Sequence, residues 1–215
     1  NAPVATPTIN TQPESLYRTA GQNASLSVSA SAGDGGTLSY QWFKSGVAIT
    51  NATSDTYSLT GVATSDSGSY LVEVTNTLGG VSTSAISTTA TVTVASALSI
   101  ATPTTGLSGT ADSAFSLSVA GSGGRASLSY ALTGTLVSGL SMSTSTGTIS
   151  GTPTATGSST VSVAVTDANG VTASTSNFTI SVGYASTTVN LALASSSPQY
   201  RITNRITATT SRAGT

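Results

Sequence analysis

Between Ala24 and Ala30 the chain alternates: Leu26, Val28 and Ala30 fall on one parity, Ser25, Ser27 and Ser29 on the other. Successive side chains of a strand point to opposite faces, so this alternation predicts a sheet with one buried and one wetted side. The same period recurs at Val72 and Val74, at Val92 and Val94, at Val161, Val163 and Val165, and at Phe178, Ile180 and Val182. Gly35-Gly36, Ser45-Gly46, Gly61 and Gly79-Gly80 punctuate the first half at the spacing of sandwich turns. In the second half Thr146-Gly147 turns one strand into the next, and Gly151-Thr152-Pro153 ends that strand. Asn169-Gly170 is the strongest short hairpin signal available. The pattern predicts an all-β chain in three segments: 1–95, 96–183 and 184–215.

The third segment is too short for a domain. Thr187 to Leu193 and Tyr200 to Ala208 read as two strands, and two strands alone cannot bury a face. Either the polypeptide continues past Thr215, which is the preferred expectation, or the pair completes a sheet in a neighbouring subunit by strand addition.

Composition then narrows the function classes. Charged residues are 6% of the chain, against roughly a quarter in ordinary globular proteins. Hydroxyl side chains carry the solubility instead. A hydrophobic share of 37% with a net charge of −1 is a folded composition, since disorder pairs high net charge with low hydrophobicity. Six basic residues argue against nucleic acid, which needs clustered Lys and Arg to displace counterions. Arg201, Arg205 and Arg212 fall close together but without an aromatic platform, and are read as solvated strand-edge positions. No apolar run reaches the length of a membrane helix, so membrane insertion is not expected. Cysteine and histidine are both absent. That removes thiol catalysis, cysteine-ligated zinc and the commonest general base together.

Two motifs carry a resemblance. Tyr40, Gln41, Trp42, Phe43 and Lys44 are followed by Asp66-Ser67-Gly68-Ser69-Tyr70-Leu71-Val72-Glu73-Val74-Thr75-Asn76. This D-x-G-x-Y-x-V-x-V-x-N string resembles the immunoglobulin superfamily, with Val28 and Val72 where its two disulfide cysteines stand. The resemblance implies Trp42 on strand C over the missing disulfide, and Tyr70 as a tyrosine corner shaped by Asp66 and Gly68. Its structural core would be Val28, Trp42, Tyr70 and Val72. Cysteine-free versions of this pattern are typical of tandem repeats in bacterial surface and secreted proteins. In the second segment, G-L-S-x-x-x-x-T-G-x-I-S-G-T-P from Gly139, followed by V-x-V-x-V-T-D-A-N-G from Val161, resembles the bacterial "putative Ig" repeat, a cadherin-like sandwich. Gly147, Pro153, Asn169 and Gly170 are its turn residues. The third segment resembles the opening strands of a further bacterial Ig-like repeat.

No catalytic, cofactor or metal site is expected. Of the seven acids, Asp66 belongs to the corner, Glu73 faces solvent, and Asp34 and Asp167 lie in turn sequences, so no facing carboxylate pair arises. Calcium at Asp167 and Asn169 is weighed and set aside: the turn offers one carboxylate where six to eight oxygens are usual. Lys44, the only lysine, shares the inward parity with Trp42 and is read as snorkelling out at the strand end rather than forming an isopeptide staple. Asn23, Asn51 and Asn177 head glycosylation sequons, which chance alone supplies in so hydroxyl-rich a chain.

The function these features predict is a non-catalytic spacer in an extracellular repeat protein, on a cell or virion surface. Tandem Greek-key sandwiches would be joined by short linkers near Ala95 to Leu98 and Gly183 to Ser186. Neighbouring Ig-like domains are the expected partners. The alternatives are a filament or virion subunit exchanging strands through 187–208, and an adhesion module for glycans or cell-surface proteins.

Overall fold

A computed structural model describes residues 3–186. The strands expected between 187 and 208, and the three arginines near the C-terminus, lie outside the described residues.

The first half opens with β1 (Thr8–Thr11), β2 (Leu16–Thr19), β3 (Ala24–Ser27) and β4 (Ser29–Ser31). β5 (Thr37–Lys44) and β6 (Val47–Ala48) form a hairpin, and β7 (Thr56–Leu59) leads through a 3-10 turn at Thr64–Asp66 into β8 (Gly68–Leu78). β9 (Val81–Ile86) and β10 (Ala90–Ala95) complete it. One sheet runs β2-β10-β8-β5-β6, with β9 also on β8, while β1 pairs with β4 and β3 with β7. The hairpin from β8 to β9 turns at Gly79 and Gly80, with φ of 59° and 84°. Two successive left-handed residues match the twist of the flanking strands, and glycine adopts them without a Cβ penalty.

The second half repeats the plan. Its strands are β11 (Ser99–Ile100), β12 (Ser108–Thr110), β13 (Phe115–Ser118), β14 (Gly121–Ser122) and β15 (Ser129–Thr133). They continue as β16 (Leu140–Met142), β17 (Thr148–Gly151), β18 (Gly157–Thr166), β19 (Thr172–Ser174) and β20 (Phe178–Gly183). One sheet runs β12-β20-β18-β15 with β19 on β18, the other β13-β17-β16, and β11 pairs with β14. In both halves the sheet includes one parallel pair, β2 with β10 and β12 with β20, and the rest are antiparallel. The fold is all-β, two sandwiches in tandem.

Each sandwich buries its own core. In the first, Leu26, Trp42, Val62, Tyr70, Val72, Val74 and Val92 lose nearly all contact with solvent. In the second, Val119, Ile149, Val161, Val163, Val165 and Ile180 do so. Within each strand the buried residues occupy alternate positions, and Ser and Thr fill many of the positions between them on the wetted faces.

Candidate functional site

Trp42 lies on β5 in register with Val72 of β8, both wholly buried, and Val28 packs into the same core. The indole Nε1 donates to the Ser54 carbonyl at 2.9 Å, so the one polar atom of the ring is satisfied inside. Tyr70 donates its hydroxyl to the Asp66 carbonyl at 2.7 Å, and Asp66 Oδ2 accepts the Ala63 N–H at 2.8 Å. Burial, with Tyr57 and Asp66 nearby, pushes the Tyr70 phenol up to about 12, so it stays a donor. Lys44 reaches out of this region to the Ser65 carbonyl at 2.6 Å, its ammonium 5.7 Å from the Tyr70 ring centre. Gly68 begins β8 directly after the corner. Gly147 sits between β16 and β17, Pro153 is buried just past β17, and Asn169 and Gly170 lie in the β18–β19 turn.

Both sandwiches share a device that the alternation alone does not reveal. The last long strand is broken in each, between β9 and β10 and between β19 and β20. At the break Ser87 N–H donates to the Val72 carbonyl at 2.9 Å, while the Val72 N–H donates to Ser87 Oγ at 3.0 Å. Thr175 and Val163 repeat the exchange at 2.9 Å and 3.0 Å. A buried hydroxyl stands in for the ladder carbonyl that the break takes away.

Four residues beyond Val72 and Val163, at the same end of each sandwich, stand Asn76 and Asp167, both buried. Asn76 Nδ2 donates to the Ala5 carbonyl at 2.8 Å and to Asp34 Oδ1 at 2.9 Å. Asp34 also receives the N–H groups of Ala5 and Gly36, at 2.8 Å and 3.0 Å. The Ala5 N–H, then the Asn76 amide and the Gly36 N–H, hold the Asp34 carboxyl below its ordinary range. This knot fixes the segment that enters the first sandwich.

Asp167 does more, because it joins the two sandwiches. Its Oδ1 accepts the N–H groups of Asn169 and Val171, both at 2.9 Å, and closes the hairpin turn. Its Oδ2 accepts the Arg125 N–H at 2.9 Å and the hydroxyl of Thr19, the last residue of β2 in the first sandwich. Asn169 Nδ2 donates to Thr19 Oγ1 at 3.0 Å, so that buried hydroxyl both gives and receives across the joint. Gln22 is fixed by accepting the Thr19 N–H at 2.8 Å, and its Nε2 approaches the Asn169 carbonyl at 3.4 Å. The Arg125 guanidinium lies 4.6 Å from the Tyr17 ring centre and donates to Asn169 Oδ1 at 3.2 Å. Burial pulls the Asp167 carboxyl up, but the Thr19 hydroxyl and the N–H groups of Arg125, Val171 and Asn169 together hold it below its ordinary value. With four donors on two oxygens, the carboxylate has little left to offer a cation.

Backbone conformation sets the approach. Gly124 has φ of 69°, and a Cβ there would come within 2.9 Å of Asp167 Cβ. Its N–H donates to the Ser96 carbonyl at 2.8 Å, tying the connection between β10 and β11 to the second sandwich. Residues Asn1–Tyr184, which contain both sandwiches, form one compact unit. Asp167 and Asn169 thus serve both the β18–β19 turn and the joint between the sandwiches.

Residues 97–183 match the family model described as "Putative Ig domain", and residues 6–76 match that described as "Immunoglobulin domain". No curated protein sequence matches the chain. Among solved structures, an I-band fragment of titin, domains I67–I69, superposes with a TM-score of 0.55 at 14% identity, over 82% of this chain and 65% of the fragment. The chain thus spans about two thirds of that fragment's length. Three N-terminal domains of the bacteriophage RB49 outer capsid protein Hoc give 0.54 at 15% identity, over 84% of this chain and 71% of theirs. At such identities the likeness is one of fold. The chain is a cysteine-free tandem of immunoglobulin-like domains.

Proposed function

We propose that this chain is a non-catalytic spacer of a surface or secreted repeat protein, whose sandwiches are held at a set angle rather than strung flexibly. The observation that carries this reading is the joint itself: Thr19, Asp167 and Asn169 bond reciprocally across it, and Arg125 stacks on Tyr17. Only Ser96, Ala97 and Leu98 separate β10 from β11, and Leu98 packs onto the second core. So short a connection leaves little conformational freedom to begin with. The extracellular, cell-surface or virion-surface setting is part of the proposal, and rests on the cysteine-free repeat pattern and the low charge.

Spin labels test the set angle, and the absence of native cysteine makes them simple to place. Labels at S58C and S116C, both exposed, report on the two sandwiches. A narrow distance distribution that Thr19→Val broadens, with both sandwiches still folded by hydrogen exchange, is the expected result. A wild-type distribution as broad as that of a chain with a Gly-Ser insertion at Ala97 would overturn the reading.

One observation favours adhesion as a second reading. Phe43 and Leu71 pair across the outward face of the β5–β8 sheet, and Ile86 on the same face is 64% exposed. An adhesive role for that face predicts that Phe43→Ser abolishes binding to a glycan array or a cell surface. A wild-type chain that binds neither removes the reading. Strand exchange through 187–208 concerns residues outside those described.

A further inference from the structure

The end of the second sandwich farthest from the joint repeats the donor side of the joint. At the joint, Thr19 closes β2 opposite Ala95, and three backbone bonds shape the turn that follows. Ala20 N–H donates to Ala95, Gly21 N–H to Val62 and Gln22 N–H to Thr19, at 2.9, 2.8 and 3.1 Å. At the far end, Thr110 closes β12 opposite Gly183 in the same parallel register. Ala111 N–H donates to Gly183, Asp112 N–H to Pro153 and Ser113 N–H to Thr110, at 2.9, 2.9 and 3.2 Å. Gly21 and Asp112 both hold positive φ, 93° and 61°. The chain itself carries the correspondence: Thr19-Ala20 precedes Ser25-Leu26-Ser27-Val28 at the spacing with which Thr110-Ala111 precedes Ser116-Leu117-Ser118-Val119.

What differs is occupancy. Thr19 is wholly buried, its hydroxyl used by Asp167 and Asn169. Thr110 is half-buried, and its hydroxyl makes no hydrogen bond among the described residues. Asp112 and Ser113 beside it are exposed, and Tyr184, at the exit of β20, is 74% exposed. A turn built to the same backbone plan thus presents an unused donor, a carboxylate and an aromatic ring together.

We propose that the Thr110–Ser113 turn is a second half-joint, which seats a further immunoglobulin-like sandwich by giving the Thr110 hydroxyl to an acceptor side chain just past that sandwich's counterpart of β18. The occupant is specified by the joint already formed, where Asp167 directly follows β18 and takes the matching hydroxyl. It also carries a basic residue in the position of Arg125. Ser108 replaces Tyr17 at the far end, so no ring on β12 awaits a guanidinium, and the Asp112 carboxylate supplies the attraction instead. The proposal rests on the spacer reading and extends it from one joint to a repeating one.

The second sandwich meets both requirements, so it serves as the probe. The full chain is prepared with a second copy of residues 96–183 inserted after Gly183. One label pair, S58C with S116C of the resident copy, reads the native joint; another, S116C in both copies, reads the new one. A narrow distribution at the new joint is expected, broadened at least twofold by Thr110→Val, restored by Thr110→Ser, and without effect on the native joint. A broad new joint beside a narrow native one overturns this inference and leaves the spacer reading intact. A new joint that stays narrow in Thr110→Val overturns the role of the hydroxyl. A broad native joint overturns the spacer reading itself.

Discussion

In the first sandwich aromatic rings fill the centre: Trp42 and Tyr57 lie 6.2 Å apart by ring centres, and Tyr57 and Tyr70 lie 6.0 Å apart. In the second, Ile149, Ile180 and a row of valines occupy the buried centre, with Phe115 and Phe178 toward its margins. Its one core tyrosine, Tyr130, turns its hydroxyl to accept the Gly121 N–H at 3.0 Å instead of closing a corner as Tyr70 does. Yet the parallel edge pair, the broken last strand with its hydroxyl exchange, and the turn after β2 or β12 recur in both. The part of the plan the two halves share is therefore how the backbone closes, while the filling of the core differs between them. Neither filling uses a disulfide.

The comparison breaks most severely at the centre. Trp42→Ala removes the largest buried side chain of the first sandwich, and a cost of about 3–5 kcal/mol is expected. Ile149→Ala should cost the second sandwich about 2–5 kcal/mol. Hydrogen exchange followed separately in each half checks both, and each variant should expose its own half first. If either variant destabilised the two halves equally, the cores would not be independent.

The shared closure gives the next test. Ser87→Ala and Thr175→Val each leave a buried backbone N–H without an acceptor, at Val72 and Val163. Each should lose about 1–3 kcal/mol by denaturant unfolding, and the two losses should be alike. Widely different losses would show that the matching geometry hides different roles. A smaller effect separates the tyrosines: Tyr70→Phe deletes the corner bond to Asp66 and should cost about 0.5–1.5 kcal/mol in the first sandwich only. Because the folded phenol is held at about 12, above its ordinary 10.0, that sandwich should also lose stability as pH rises from about 10 to about 12. Tyr70→Phe should flatten this alkaline loss.

The smallest expected effect is at the joint. Its carboxylate is depressed below the ordinary aspartate value of 3.8, so the charged form that Thr19 and Arg125 hold persists from neutral pH down through about 4. The S58C–S116C distance distribution should stay constant over that range. It should broaden only below it, as Asp167 takes up a proton and loses acceptor capacity. Broadening already near pH 6 would mean that another group controls the angle.

Much of this was legible beforehand, for identifiable reasons. Leu26, Val72, Val163 and Ile180 sit in strands whose burial alternates residue by residue, so period alone marks them. Trp42 and Tyr70 stand in a string long enough to be distinctive. Ser87 and Thr175 were illegible because one hydroxyl among dozens carries no signal, and its role exists only where a strand breaks. Asp167 was half legible: its local bonds to Asn169 and Val171 follow from turn chemistry, but its partner Thr19 lies 148 residues away. No local pattern announces such a contact. The repeated Thr-Ala before each Ser-Leu-Ser-Val was the available hint.

The parallel pairs have a consequence for a chain that is pulled. In each sandwich β2 or β12 follows the short entry strand β1 or β11, the chain leaves by β10 or β20, and these paired neighbours run in the same direction. Tension on the two ends draws such strands past each other lengthwise, so their hydrogen bonds are loaded together instead of parting one at a time from an end. The first clamp spans four paired residues, Leu16–Thr19, and the second three, Ser108–Thr110. Under rising tension the second sandwich should therefore yield before the first.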